Sequence, residues 1–184
     1  MNKKYILIAL GIILLTILIL FSMGRIPFCK CDIISLWSSD VVSNQQSQQL
    51  ADPYTFTHVI HGMAFYFLLW LVFGRKLSGV QRLLLAIGIE GAWEILENTD
   101  YVINRYREAT ISLDYYGDSI FNSVGDIIAM IIGYFMAWKL STKVTIAAVI
   151  VIELLLLYFI RDNLTINIIM LVHPIEAIKH WQAM

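Results

Sequence analysis

The sequence predicts an all-α fold: one integral membrane domain over residues 1–184, a polytopic transmembrane helical bundle of about five spans with a C-terminal re-entrant or interfacial segment. Three observations predict it. Hydrophobic residues make up 59% of the chain and charged residues 15%, with a mean hydropathy of +0.72, well outside the composition of soluble domains. Five apolar runs are long enough to cross hydrocarbon about 30 Å thick. Lysine and arginine gather in short loops at the ends of those runs. A chain of 184 residues holds one compact bundle and no separate soluble domain, and a net charge of -1 argues against a nucleic-acid partner.

The first run, residues 5–24, "YILIALGIILLTILILFSMG", follows Lys3 and Lys4. It is longer than the core of a signal peptide, and the following "RIPFC" offers neither a small-residue cleavage site nor a lipoprotein box, so a retained anchor is expected. Cys29 and Cys31, as "CKC", could form a disulfide across a single spacer or stay as two thiols; both readings are open, and the pair is too close to make a zinc site alone.

The second span is expected over residues 56–73, before "GRKLSGVQR". The third covers residues 83–103, the fourth residues 120–140 ending in "STK", and the fifth residues 144–160 stopping at "RDN". Glu153, alone in the fifth span, is either a buried hydrogen-bond donor, the favoured reading, or a partner supporting the site residues from behind. The tail "LTINIIMLVHPIEAIKHWQAM" has an apolar core too short to cross, which predicts a re-entrant or surface-lying segment.

These spans put Lys3, Lys4, Arg75, Lys76, Arg82, Lys139 and Lys143 on one side and Arg25, Lys30, Arg105, Arg107, Arg161 and Lys179 on the other. The first group lies in very short loops without Asp or Glu, where the positive-inside bias acts most strongly. A bacterial inner (cytoplasmic) membrane protein with a cytoplasmic N-terminus and an outer C-terminus is the expectation. The pair of cysteines then faces an oxidising compartment.

Ionisable groups inside a span need a partner, water or a function, and here they fall in three stripes. His58 and His61, in "HVIHG", lie three apart near the outer end of span two. Glu90, Glu94 and Glu97, in "EGAWEILENTDY", lie at i, i+4 and i+7 along the outer half of span three. Asp118, Asn122 and Asp126, in "DSIFNSVGD", open span four. Consecutive spans alternate direction, so the three stripes meet the same leaflet boundary and predict one outward pocket.

Two histidines with several carboxylates suit zinc, manganese or iron, and a metal relieves the repulsion within the glutamate stripe. His58, His61, Glu94 and Asp118 are the candidate metal ligands. Glu90, Glu97 and Asp126 are the candidate catalytic acids or bases. Each residue also has a plainer reading: interfacial histidines capped by carbonyls or water, Glu90 as a protonated packing residue, Glu97 as a solvated acid, Asp118 as the N-cap of span four, Asn122 as glue between helices. Gly125 and Gly133 are expected to allow close helix contact. Arg105, Arg107 and Asn122 are the candidate substrate-binding residues, since guanidinium groups at headgroup level can clamp a phosphate or carboxylate; pairing of the two arginines with Glu108 and Asp114 is the alternative.

The stretches "SQQLADPYTFTHVIHG", "EGAWEILENTDYVINRYREATISLDYYGDSIFNSVGD" and "IRDNLTINIIMLVHPIEAIKHWQA" together resemble a family of bacterial inner-membrane proteins carrying a domain of unknown function. The resemblance covers nearly the whole chain after span one. It implies that histidine often stands where this sequence has Gln49; if that histidine is a ligand in relatives, this chain has either lost it or never needed it. A looser likeness runs to the VanZ-like membrane proteins, in which an early histidine, an acid in the next span and a "DxxxNxxG" segment have their counterparts in His58 or His61 and in Asp118, Asn122 and Gly125.

Three functions fit. The first is a metal-dependent enzyme acting on a membrane lipid or lipid-linked envelope substrate. The second is a non-catalytic protein that binds a lipid headgroup or assists envelope assembly, and it requires every pocket carboxylate to be paired. The third is a transporter or proton relay, disfavoured because the inner halves of the spans carry no matching polar residues.

Overall fold

The computed structural model describes residues 2–31, 33–110 and 114–184, and among these it contains eight helices and no strand. They are α1 (Lys3–Ser22), α2 (Thr55–Phe73), α3 (Gly79–Glu97), α4 (Asp100–Ala109), α5 (Ile120–Lys139), α6 (Thr142–Ile160), α7 (Leu164–Val172) and α8 (Glu176–Ala183). Four of them, α1, α2, α5 and α6, are long and apolar enough to cross a membrane. Helix α3 matches α2 in length at 19 residues but carries Arg82, Glu90, Glu94 and Glu97.

The third run ends earlier than hydropathy suggests. Glu97 closes α3, Asn98 caps it by donating its backbone N–H to the Glu94 carbonyl, and the Thr99 side chain accepts from Val102 N to start α4. An Asn-Thr-Asp sequence is a stop followed by a start, and it outweighs the apolar residues on either side. A second correction concerns Asp118: the N-cap of α5 is Ser119, whose Oγ accepts from Asn122 N at 3.1 Å.

Helices α2 and α5 pack closest. A Cβ on Gly62 would run into the Met130 carbonyl, and one on Gly133 into the Val59 carbonyl, so two hydrogens at these positions set the helix separation. Helix α3 runs opposite to both, since Tyr134 Oη donates to the Gly79 carbonyl while Glu90 meets His58. Between these two points Leu69, Leu83, Ala86, Ile87, Ile127, Met130 and Tyr134 form a continuous apolar cluster. The outer faces of α1 and α6 remain exposed, as lipid-facing helices should.

The connection between α1 and α2 folds over the start of α5. Ile120 N donates to the Ile26 carbonyl at 2.9 Å, Phe121 N to Pro27 at 3.1 Å and Ser119 N to Ser47 at 3.0 Å, so the free amides of the α5 first turn are satisfied by chain rather than water. Cys29 and Cys31 are joined by a disulfide. Gln49 is buried in this connection, accepting from Ser35 N at 2.7 Å and donating to the Ile33 carbonyl at 3.1 Å.

The tail does not cross. Helix α7 has 9 residues, a rise of about 14 Å, and it folds back from a left-handed turn at Arg161 (φ 52). Glu153 fixes that return, and here the expectation of a donor was wrong: its carboxylate accepts from Leu164 N at 3.0 Å, from Thr165 N at 3.2 Å and from the Thr165 hydroxyl. It thereby caps α7 from the side of α6 and meets the positive end of the α7 dipole. Glu153→Ala should cost about 1–2 kcal/mol and should release α7 first, seen as faster amide exchange at residues 164–172; unchanged exchange there would remove this role.

Candidate functional site

The site lies where the N-terminal end of α2, the C-terminal end of α3 and the N-terminal end of α5 meet. His58 and His61 face α3 with ring centroids 5.0 Å apart. Between them and the helix stands Glu90, wholly buried: its Oε1 is 2.6 Å from His58 Nδ1, and its two oxygens are 3.3 and 3.2 Å from His61 Nδ1. One carboxylate thus orients two imidazoles. His58, His61 and Glu90 each present a ligand-type atom, all within 4.8 Å of one another, and so do His58, Glu94 and Glu97.

Glu94 is as deeply buried as Glu90, yet among the described residues neither of its oxygens accepts a hydrogen bond. His58 Nδ1 stands 3.5 Å from its Oε1. Asp126 reaches the same imidazole from α5, with Oδ2 3.8 Å from Nε2, while its Oδ1 is buried without a partner.

Above this cluster opens a cavity of about 710 Å³. His58, His61, Glu97, Asp118 and Asp126 reach its wall, joined by Tyr54, Tyr106 and Asp162. Its mouth is formed by Ile89, Leu96, Tyr101, Ile168 and Val172, all exposed apolar or aromatic side chains. Glu90 and Glu94 lie behind the histidines and outside the lining.

Asp118, unlike Glu94, is hydrogen-bonded through both oxygens. It accepts from Tyr115 Oη at 2.9 Å and from Asn98 Nδ2 at 2.8 Å, and its own N–H donates to Asn98 Oδ1 at 2.8 Å. Burial pushes its carboxyl above the usual range against these bonds. It belongs to neither of the two ligand groups.

Asp52 caps the start of α2, its Oδ1 accepting from Tyr54 N at 2.8 Å and its Oδ2 from Ser47 N at 2.9 Å. Burial pushes its carboxyl up to about 6, against those two bonds. Asp162, which accepts from Tyr54 Oη at 3.1 Å and from Asn163 N at 2.9 Å, is also pushed up to about 6 by burial.

A carboxyl raised in the folded state stabilises that state below its unfolded value, 3.8, and loses the contribution as pH rises through about 6. The unfolding temperature in detergent should therefore fall between about pH 4 and pH 6 and level off above, and Asp162→Asn should flatten part of that fall. A variant whose slope equals that of the parent would show that Asp162 does not titrate there.

The arginines are committed elsewhere. Arg105 lines the cavity, but its Nε donates to the Leu171 carbonyl at 2.8 Å and its Nη2 to Val172 at 3.3 Å, while Arg107 Nε donates to the Tyr115 carbonyl and the residue stays outside the lining. Neither bond goes to Glu108 or Asp114. Asn122 is buried and gives its Nδ2 to the Gln49 carbonyl at 2.9 Å, so it anchors the α1–α2 connection and does not reach the cavity. Gln49 itself does not reach the cavity either. Asp52, Asn98, Tyr54 and Asp162 escaped the reading of the sequence; the Asp-Pro pair preceding α2 was the one signal that could have marked Asp52 as a cap.

A family model described as "Protein of unknown function (DUF2585)" matches residues 20–184. A UPF0314 protein of Sphingopyxis alaskensis is 50% identical over 178 residues, which is 96% of this chain and 94% of that one. A UPF0314 protein of Rhizobium meliloti is 51% identical over 180 residues, 97% and 90% of the two chains. One from Paracoccus denitrificans is 49% identical over 172 residues, 94% and 89%. No solved structure matches this chain.

Proposed function

The chain belongs to the DUF2585 family, and from that premise and its pocket we propose a multi-pass bacterial cytoplasmic-membrane enzyme that uses a divalent ion, zinc, manganese or iron, on a lipid or lipid-linked envelope substrate. The observation that carries this reading is the convergence of His58, His61 and Glu90 within 4.8 Å at the foot of the cavity. These three would hold the ion, which supplies a Lewis acid beside the substrate. Asp126 faces the cavity with one oxygen unpartnered, the position and valence required of a proton acceptor.

The mouth supports the substrate class. Leu96, Ile168 and Val172 are at least 49% exposed and continue the apolar outer surface, so an amphiphile can enter sideways and lead with its polar end. An outward-facing pocket is supported by the disulfide, which persists in an oxidising compartment, and by the basic residues of the two short loops at the opposite end.

A purely binding role calls for fully paired carboxylates, and both oxygens of Glu94 go unpaired. A transport path would have to pass the apolar cluster around Ile87, Ile127 and Met130. Elemental analysis of the detergent-purified protein should find stoichiometric transition metal, one equivalent of which His61→Ala loses. A metal-free parent whose unfolding temperature ignores chelator would end this proposal.

A further inference from the structure

We infer that the pocket holds a second divalent cation, bound by Glu94 and Glu97 beside His58, so that the centre is dinuclear. The inference rests on the metal reading of the pocket and extends it. Glu94 motivates it: a carboxylate with no solvent exposure and no hydrogen bond to either oxygen lacks what a buried charge requires. Its hydrogen-bonding neighbours are already committed, because Glu90 occupies the Nδ1 atoms of both histidines and Asn98 serves Asp118 and the Glu94 carbonyl.

A cation is the partner that fits this place. Glu94, Glu97 and His58 bring ligand-type atoms within 4.8 Å of one another, and Glu97 opens that group to the cavity. His58 stands between the two groups, its Nδ1 2.6 Å from Glu90 and 3.5 Å from Glu94; a neutral imidazole has one lone pair for a metal, so it would bind one of the two ions and leave Glu94 and Glu97 to carry the other.

The charge balance points the same way. Glu90, Glu94, Glu97, Asp118 and Asp126 gather round two histidines, more carboxylates than one divalent ion would balance once they are ionised. An oxygen-rich second site of this kind suits manganese or iron better than a sulfur-seeking ion.

The test is manganese(II) binding to the full-length protein in detergent, by equilibrium dialysis and elemental analysis, with monodispersity checked for each variant. Two ions per chain are expected for the parent, falling to one in Glu94→Gln and in Glu97→Gln and to one in His61→Ala. One ion in the parent overturns the second site and leaves the first intact. No ion in the parent overturns both. Two ions retained in Glu94→Gln also overturn the assignment, since glutamine copies a neutral, protonated Glu94 that needs no cation.

Discussion

Gly62→Leu and Gly133→Leu should each yield little or no folded protein. At both positions the first side-chain carbon would meet a backbone carbonyl of the facing helix, Met130 for one and Val59 for the other. A carbonyl in a helix cannot step aside as a side-chain tip can. Relief therefore requires α2 and α5 to separate, which opens the tightest contact in the bundle and moves His58 away from Asp126. The cost should reach about 3 kcal/mol or more. Gly88 is the control, because a Cβ there meets nothing within 4 Å; Gly88→Ala should behave like the parent. Monodisperse recovery and unfolding temperature in detergent read the difference, and a stable Gly62→Leu would show that the two helices are not held at this distance.

The second large effect is expected at Glu90. Its carboxylate is the common partner of His58 and His61, so Glu90→Ala removes either a ligand or the group that orients two of them. Metal affinity should fall at least about 100-fold, read by competition with a chelator of known affinity. Folding should also weaken by about 1–3 kcal/mol, the cost of leaving buried imidazole nitrogens without partners. Glu90→Gln separates the two effects: it keeps a hydrogen-bonding group of the same shape while removing the charge. A Glu90→Ala protein that binds metal as tightly as the parent would take Glu90 out of the centre.

The helical bundle was legible because apolar runs of crossing length admit few other structures, and the tail was legible because its run is short. The end of α3 was not, since hydropathy averages over Asn98 and Thr99 while the backbone responds to each of them singly. The stripes of His58 and His61, of Glu90 and Glu94, and of Asp126 followed from helical period and alternating direction, which is why the sequence located the pocket. Period says nothing about depth behind a neighbouring ring. Glu90 and Glu94 therefore changed places with the expected order of roles: Glu90, expected as acid or base, groups with both histidines, and Glu94, expected to share an ion with His61, groups with His58 and Glu97.

Arg105, Arg107 and Asn122 show the other limit. Their partners are the carbonyls of Leu171, Tyr115 and Gln49, and a backbone carbonyl leaves no mark in a sequence. Glu153 is the same case reversed: an acid that looked isolated in the fifth span was waiting for the amides of a helix that begins eleven residues later.

The segment that closes over the start of α5 gives the molecule an order of assembly. Its carbonyls at Ile26, Pro27, Ser47, Gln48 and Gln49 receive donors from residues 119–122, which leave the ribosome some seventy to ninety residues later. During synthesis the first two helices can enter the bilayer while the stretch joining them waits undocked, and the pocket cannot take shape until α5 has followed. Closure of the site therefore waits on α5, and chains arrested before residue 119 should leave Ser47, Gln48 and Gln49 open to protease, while the finished protein buries them.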